Sequence, residues 1–329
     1  MNNTISELIK KISTANNIYI ASHVNPDGDS IGSILAMALG LRKINKNVNI
    51  IKTDEIPSDY LFLPNIHMIR TYDIDEEKDP IDLLVVLDCG DIDRLGKFKS
   101  IVSNSKFVIN IDHHISNSGF GDINIVDEQS AATGELVFDL LVGMGIQIDK
   151  EIATCLYTAI STDTGSFSYD NVTSRTHEIV VSLINAGIDK SDINIRLYQS
   201  RSIERTNLFI SSFSTLKTYN DNKIATVKVT QDMLKKANAK MEDTEGIISF
   251  IRDIKPVEVA CLLKENKEKE IKISLRSKRF VDVSKICSAF NGGGHKRASG
   301  CTINESINDA ERLIVEQIIK MWWLCEWRY

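Results

Sequence analysis

Residues 82–88, DLLVVLD, set five successive apolar residues between two acids. A strand with one wet face alternates apolar and polar residues; an uninterrupted apolar run belongs to a strand covered on both faces. The runs IYIAS (18–22), VNIIK (48–52) and KFVINID (106–112) share most of that character. Helical periodicity fills IGSILAMALGLRKI (31–44), AATGELVFDLLVGM (131–144), KEIATCLYTAIST (150–162) and SRTHEIVVSLINAG (174–187). Strands alternating with helices predict an α/β fold on a doubly wound, mainly parallel sheet. Such a sheet gathers its functional side chains at the carboxyl ends of its strands.

After Gly187 the pattern changes. The stretch 192–213 is polar, helical and free of Pro and Gly, which suits a helical connector. Then IATVKVT (224–230), VEVACLL (257–263) and EIKISLRS (270–277) alternate cleanly, with Ile271, Ile273 and Leu275 on one face and Lys272, Ser274 and Arg276 on the other. The expectation is a first domain over 1–188, a helical linker or hinge over 189–205, and a smaller α/β domain over 206–329.

Charge limits the partners. The chain carries a net −6, which argues against a surface that coats long duplex nucleic acid, yet residues 252–297 hold twelve Lys/Arg against six Asp/Glu. A basic stretch in an acidic protein marks a local site for an anion. The six cysteines, at 89, 155, 261, 287, 301 and 325, form no CxxC pair and read as reduced, buried thiols of a cytoplasmic protein. The start MNNTISELIKK lacks the apolar core of a signal peptide. No run approaches the ~20 apolar residues that cross a bilayer, so no membrane partner is expected. The final WWLCEWRY suits either the docked end of a C-terminal helix or a homodimer contact.

The element ends carry the chemistry. The first strand runs into His23, with Asp27 and Asp29 on the loop after it. DLLVVLD ends in Asp88, KFVINID in Asp112, His113 and His114, and the helix CLYTAIST runs into Asp163. Taken singly, Asp29 or Asp163 is more simply read as a helix N-cap. Jointly, acids and paired histidines at one sheet edge point to a metal site. Carboxylates and imidazoles without thiolate suit Mn²⁺, Mg²⁺ or Co²⁺ better than structural zinc. Six or seven such ligands exceed the needs of one catalytic ion and fit a bridged pair that activates water and clamps a phosphoryl group.

The second domain offers an anion site. Gly292, Gly293 and Gly294 let backbone N–H groups approach an anion without a Cβ in the way. His295 and Arg297 follow with side-chain donors, and Arg276 offers a fork matched to phosphate oxygens. The helix VSKICSAF ends just before the glycines, so one of them is expected to serve as its C-cap.

These motifs, His23-x-x-x-Asp27-x-Asp29, Asp88, Asp112-His113-His114, Asp163 and GGGHKRASG (292–300), resemble those of the DHH/DHHA1 phosphoesterase superfamily, in order and across nearly the whole chain. The resemblance implies a DHH catalytic domain followed by a DHHA1 domain. It implies one metal ion on His23, Asp27 and Asp88 and a second on Asp29, Asp88, His113 and Asp163, with Asp88 bridging. Asp112 would orient His113, and His114 would lie near the scissile phosphate. Phosphate and nucleotide binding falls to GGGH and Arg276. Length and the absence of extra domains resemble the nanoRNase group, whose members cut RNAs of two to five nucleotides and often dephosphorylate 3′-phosphoadenosine 5′-phosphate. A compact cleft between two domains would favour such short substrates over long strands. Two rivals stand beside this reading: a phosphohydrolase of small anions such as pyrophosphate or polyphosphate, and a nucleotide-binding module without catalysis.

Overall fold

The computed structural model describes residues 2–71 and 81–326. The chain forms two compact units, Met1–Ser200 and Arg201–Tyr329.

The first unit is built on β1 (Ile18–Ala21), β2 (Val48–Lys52), β3 (Ile69–Thr71), β4 (Leu83–Leu87), β5 (Val108–Asp112) and β6 (Ile123–Val126), all parallel, in the order β3-β2-β1-β4-β5-β6. Successive side chains serve two cores. Ile18, Ile20, Leu83, Val85 and Leu87 pack on one face with the helices Gly28–Lys43, Thr133–Gly143 and Lys150–Asp163. Tyr19, Ala21, Leu84 and Val86 pack on the other with Leu95 and Ile101. This two-sided burial explains the unbroken apolar runs, and each fully buried Val, Leu or Ile contributes about 1.5–3 kcal/mol. The edge strands β3 and β6 are short and partly exposed, too brief to imprint a pattern on the sequence.

Helices Gly28–Lys43 and Lys150–Asp163 lie antiparallel in close contact. A Cβ on Gly28 would sit 2.4 Å from Thr162 Oγ1, and one on Gly32 would sit 2.5 Å from the Cys155 carbonyl. Absence of side chains at these two positions brings the start of one helix against the end of the other. Asp29 and Asp163 meet for that reason.

The second unit carries β7 (Lys217–Tyr219), β8 (Ile224–Val229), β9 (Val259–Lys267), β10 (Glu270–Ser277), β11 (Gly293–His295) and β12 (Ala298–Ile303), in a mixed sheet ordered β11-β12-β10-β9-β8-β7. The architecture is therefore α/β throughout, a parallel doubly wound sheet plus a second mixed one. Ile271, Ile273 and Leu275 are buried beneath β10, as the alternation predicts. The stretch 192–213 is not one helix. It divides into Lys190–Tyr198 and Ile203–Phe213, because Ser202 Oγ accepts the Arg205 N–H at 3.0 Å and starts a new helix. Trp322, near the end of helix Ile307–Glu326, is buried in this unit's core with its ring 5.1 Å from that of Phe280. The last three residues of the aromatic C-terminal segment, 327–329, lie outside the described residues. Cys89, Cys155, Cys261, Cys287 and Cys301 are buried free thiols. Among the described residues no helix is long and apolar enough to cross a membrane.

A buried ionic cluster ties helix Ile307–Glu326 to the second sheet. Glu311 Oε1 accepts from Thr226 Oγ1 at 2.7 Å, and Oε2 faces Lys228 Nζ at 2.7 Å and Lys217 Nζ at 3.2 Å. Burial alone would raise the Glu311 carboxyl; its three donors outweigh burial and hold it below the ordinary glutamate value. A depressed folded-state pKa gives stability that is present above the unfolded value and lost as pH falls through the folded one. Glu311→Gln leaves Lys228 buried beside a neutral amide and is expected to cost about 3 kcal/mol near neutral pH. Urea unfolding should show that gap closing as pH falls below the glutamate range; a gap that persists in acid would remove Glu311 from this role.

Candidate metal centre

The strand order reverses between β1 and β4, and ligands of such sheets sit at the carboxyl ends beside that reversal. His23 leaves β1 there and Asp88 leaves β4. The His23 turn is held by the Val24 N–H on the Arg94 carbonyl at 2.7 Å and by Thr53 Oγ1 on the His23 carbonyl at 2.8 Å. Asp88 adopts a left-handed backbone with φ 55°, a conformation costly for most residues but more accessible to Asp and Asn.

Asp27, not Asp29, caps helix Gly28–Lys43, its Oδ1 accepting the Ser30 N–H at 3.0 Å. Its Oδ2 lies 3.8 Å from His23 Nε2, so one carboxylate both starts the helix and faces the cluster. Asp29, in the first turn of that helix, is buried and lays its carboxylate on the start of helix Thr133–Gly143, accepting the Thr133 N–H at 2.7 Å and the Gly134 N–H at 2.9 Å. Asp163 is no N-cap either: it ends helix Lys150–Asp163, where the dipole disfavours an anion. An acid kept at such a position implies a cationic partner.

Four acids and two imidazoles converge. His23 Nε2 lies 3.3 Å from Asp88 Oδ2. His113 Nε2 lies 3.7 Å from Asp88 Oδ1, 3.9 Å from Asp29 Oδ2 and 3.4 Å from Asp163 Oδ2. Each Nδ1 is committed elsewhere, that of His23 to the Val24 carbonyl at 2.8 Å and that of His113 to the Ser130 carbonyl at 3.2 Å. A carbonyl only accepts, so each Nδ1 carries a proton and Nε2 is the nitrogen left to face the acids. Among the described residues three groupings have ligand atoms close enough to share an ion: His23, Asp27 and Asp88; Asp29, His113 and Asp163; and Asp88, His113 and His114. The first two share no residue, yet Asp88 turns one oxygen toward the histidine of each.

Electrostatics separate these acids. Burial pushes Asp29 well above the carboxylate range, reinforced by Asp88, Asp163 and Asp27. Burial likewise pushes Asp163 up to about 7, with His113 opposing. For Asp88 burial is outweighed by His23 and the other two histidines, and its carboxyl is lowered. Carboxylates crowded enough to retain protons, beside imidazoles whose Nε2 atoms face them, form a donor set suited to hard or borderline divalent cations.

Asp112 departs from expectation. It pairs with His114, not His113, its Oδ1 lying 2.7 Å from His114 Nδ1. His113 takes its orientation from the Ser130 carbonyl instead. Burial would lower His114, but Asp112 outweighs it and pushes the imidazole up to about 8. Cations beside Asp88 would oppose that rise.

In the second unit, cross-strand register places Arg276 opposite Ala298 and Ala298 opposite His295. Directly opposed residues point to one face, so Arg276 and His295 flank a small alanine on the same side of the sheet. Gly300 and Gly293 form the next row with Ser274, and a Cβ on Gly293 would meet nothing within 4 Å. Burial and the adjacent Lys272 and Arg276 charges lower the Lys264 ammonium, so this face gathers cations. Arg297 instead donates to the Val281 carbonyl at 3.2 Å. The left-handed residue that ends helix Val283–Ser288 is Asn291, not a glycine: the Gly292 N–H closes back on the Cys287 carbonyl at 2.9 Å. Gly292 and Gly294 are needed for a different reason, since a Cβ on either would strike the backbone of β12.

Several residues escaped sequence reasoning. Thr133 Oγ1 donates to Asp88 Oδ1 at 3.1 Å. Asn117 Nδ2 donates to Asp112 Oδ2 at 2.6 Å and to Asn110 Oδ1 at 2.7 Å. Asn110 was visible as the polar interruption of VINID; Thr133 and Asn117 left no local signal. The Arg94 charge acts on His23, Asp27 and His114.

Comparison with known proteins agrees with this geometry. Residues 17–160 match the N-terminal domain of the DHH family and residues 221–321 match the DHHA1 domain. The chain is 32% identical to the bifunctional oligoribonuclease and PAP phosphatase NrnA of Thermus thermophilus, over 91% of this chain and 87% of that protein. It is 27% identical to the protein of the same name from Bacillus subtilis, over 94% and 96%. The crystal structure of an exopolyphosphatase-related protein from Bacteroides fragilis superposes with a TM-score of 0.94 at 33% identity, covering 99% of this chain and 98% of that one. Fold and site thus define a metal-dependent phosphoesterase. The chain belongs to the DHH/DHHA1 phosphoesterase family.

Proposed function

We propose that this chain hydrolyses oligoribonucleotides of two to five residues to mononucleotides, and also removes phosphate from 3′-phosphoadenosine 5′-phosphate. One observation carries the reading most strongly: His23 and His113 face opposite oxygens of Asp88. That arrangement suits two divalent ions, Mn²⁺ first and Mg²⁺ or Co²⁺ as alternatives. His23, Asp27 and Asp88 would hold one, and Asp29, Asp88, His113 and Asp163 the other. Such a pair supplies Lewis acidity that neutralises phosphoryl oxygens and lets water attack near neutral pH.

The chain's own residues do the rest. Asp112 fixes the ring of His114 and favours its protonated form, which places positive charge where a phosphoryl group gains negative charge. Thr133 fixes the Asp88 carboxylate. In the second unit, Arg276 and His295 take the terminal phosphate of the substrate, and Gly293, where a Cβ would meet nothing within 4 Å, leaves space for it. Arg297 steadies the preceding loop through Val281. The relatives named NrnA support these substrates.

Chromatography of products from a panel of two- to eight-nucleotide RNAs, 3′-phosphoadenosine 5′-phosphate and pyrophosphate tests the reading. Mononucleotides from the shortest RNAs are expected, with rates falling as length grows. Phosphate from pyrophosphate alone, with every RNA intact, would replace the substrate with a small anion. Arg276→Ala is expected to raise KM for dinucleotides about tenfold or more, with kcat less affected. Unchanged kinetics would remove Arg276 from the site.

A further inference from the structure

Strand β5 carries one side chain that its packing does not call for. Ile109 and Ile111 face one core and Val108 the other. Asn110 shares the face of Val108, lies opposite Val86 of β4 and is fully buried. Burying an amide is costly unless its polar atoms find partners, and an apolar residue would avoid the cost. Here every polar atom is spent. Asn110 Nδ2 donates to the Cys89 carbonyl at 3.1 Å and to the Val86 carbonyl at 3.4 Å, and Oδ1 accepts from Asn117 Nδ2 at 2.7 Å.

Asn117 spends both of its amide hydrogens, one on Asn110 and the other on Asp112 Oδ2 at 2.6 Å. Asp112 is wholly buried, and its Oδ1 lies 2.7 Å from His114 Nδ1. A carboxylate anchored through both oxygens cannot rotate, so the plane of Asp112 is fixed and the His114 ring with it. The same pair reaches the turn of Asp88: Cys89, whose carbonyl Asn110 holds, directly follows that acid. The loop after His114 is shaped by other bonds. Asn117 Oδ1 accepts the Gly119 N–H at 2.8 Å, the Ser118 N–H reaches the Gly90 carbonyl at 2.8 Å, and Asn124 Oδ1 accepts the Gly121 N–H at 3.0 Å. None of these uses Asn117 Nδ2, whose second hydrogen is aimed at Asp112 alone.

We propose that Asn117, backed by Asn110, is a positioning residue for phosphoryl hydrolysis: it acts through Asp112 to hold the His114 ring against the reacting phosphoryl group. The proposal rests on the phosphoesterase reading of this centre and on the place given to His114 in it. Neither asparagine binds substrate, so their removal affects turnover rather than affinity.

The test uses the full chain with Mn²⁺ and pApA in four forms: wild type, Asn117→Ala, His114→Ala and the double variant. Asn117→Ala is expected to lower kcat by about 10- to 100-fold, the value of a hydrogen bond to a charged acceptor, with KM within about threefold of wild type. In the His114→Ala background the same substitution is expected to cost less than about threefold, because its effect runs through a ring no longer present. A role in the fold alone would give losses that multiply. Asn110→Leu, which returns an apolar side chain of similar size to the strand, is expected to repeat the pattern with a smaller loss, so the outcome does not depend on one variant. Unchanged kcat in Asn117→Ala, a loss confined to KM, or losses that multiply would overturn the role of Asn117 while leaving the phosphoesterase reading intact. A wild type that cuts pyrophosphate but not pApA would overturn the substrate reading alone, and the same four forms on pyrophosphate then decide the role of Asn117. A wild type inert on both would overturn both.

Discussion

Asp88→Asn is expected to lower kcat by about a thousandfold or more, equivalent to ~4 kcal/mol of transition-state stabilisation, while the protein still folds cooperatively. Both halves follow from position. Asp88 turns an oxygen toward each of His23 and His113, and among the described residues no other side chain serves both groupings as directly. Asparagine tolerates the left-handed backbone at φ 55° and preserves the shape in which Thr133 Oγ1 packs. Alanine would remove the same charge but add backbone strain. Initial rates with pApA, beside urea unfolding of the same preparation, check both. A variant within tenfold of wild type would remove Asp88 from the centre of catalysis.

Stripping divalent ions is expected to lower the melting temperature by ~5–10 °C per emptied site relative to protein with Mn²⁺ at about a hundred times its dissociation constant. One saturated site at that ratio adds about 2.7 kcal/mol, and a unit of this size melts ~2–4 °C higher per kcal/mol. The sign comes from crowding: burial and mutual repulsion raise Asp29 and Asp163, and a cation relieves both. Binding must also displace the protons those acids retain, so the gain grows as pH rises from about 6 to about 8. Calorimetry across that range checks the effect; a melting temperature indifferent to Mn²⁺ at every pH would contradict it.

How much of this was legible in the sequence depended on whether the cause was local. Unbroken runs such as LLVVL announce a strand buried on both faces because every residue meets a core, and the alternation of β10 announces one buried face for the same reason. Acids and histidines at strand ends were readable as a cluster because a parallel sheet aligns those ends. What stayed hidden depends on contacts distant in the chain. Asp112 sits next to His113, yet it holds His114, a choice made by ring orientation rather than by spacing. Thr133 reaches Asp88 from a helix 45 residues further along. The break at Ser202 was a cap that only competing helix geometry reveals, and Asn291 took the left-handed position that three following glycines appeared to claim by composition.

Whether Asp88 joins two cation sites is measured by Mn²⁺ binding followed by electron paramagnetic resonance. Two ions per wild-type chain with an exchange-coupled signal are expected, and in Asp88→Asn at most one ion with no coupling. A single ion in the wild type, or a coupled pair that survives Asp88→Asn, would contradict it.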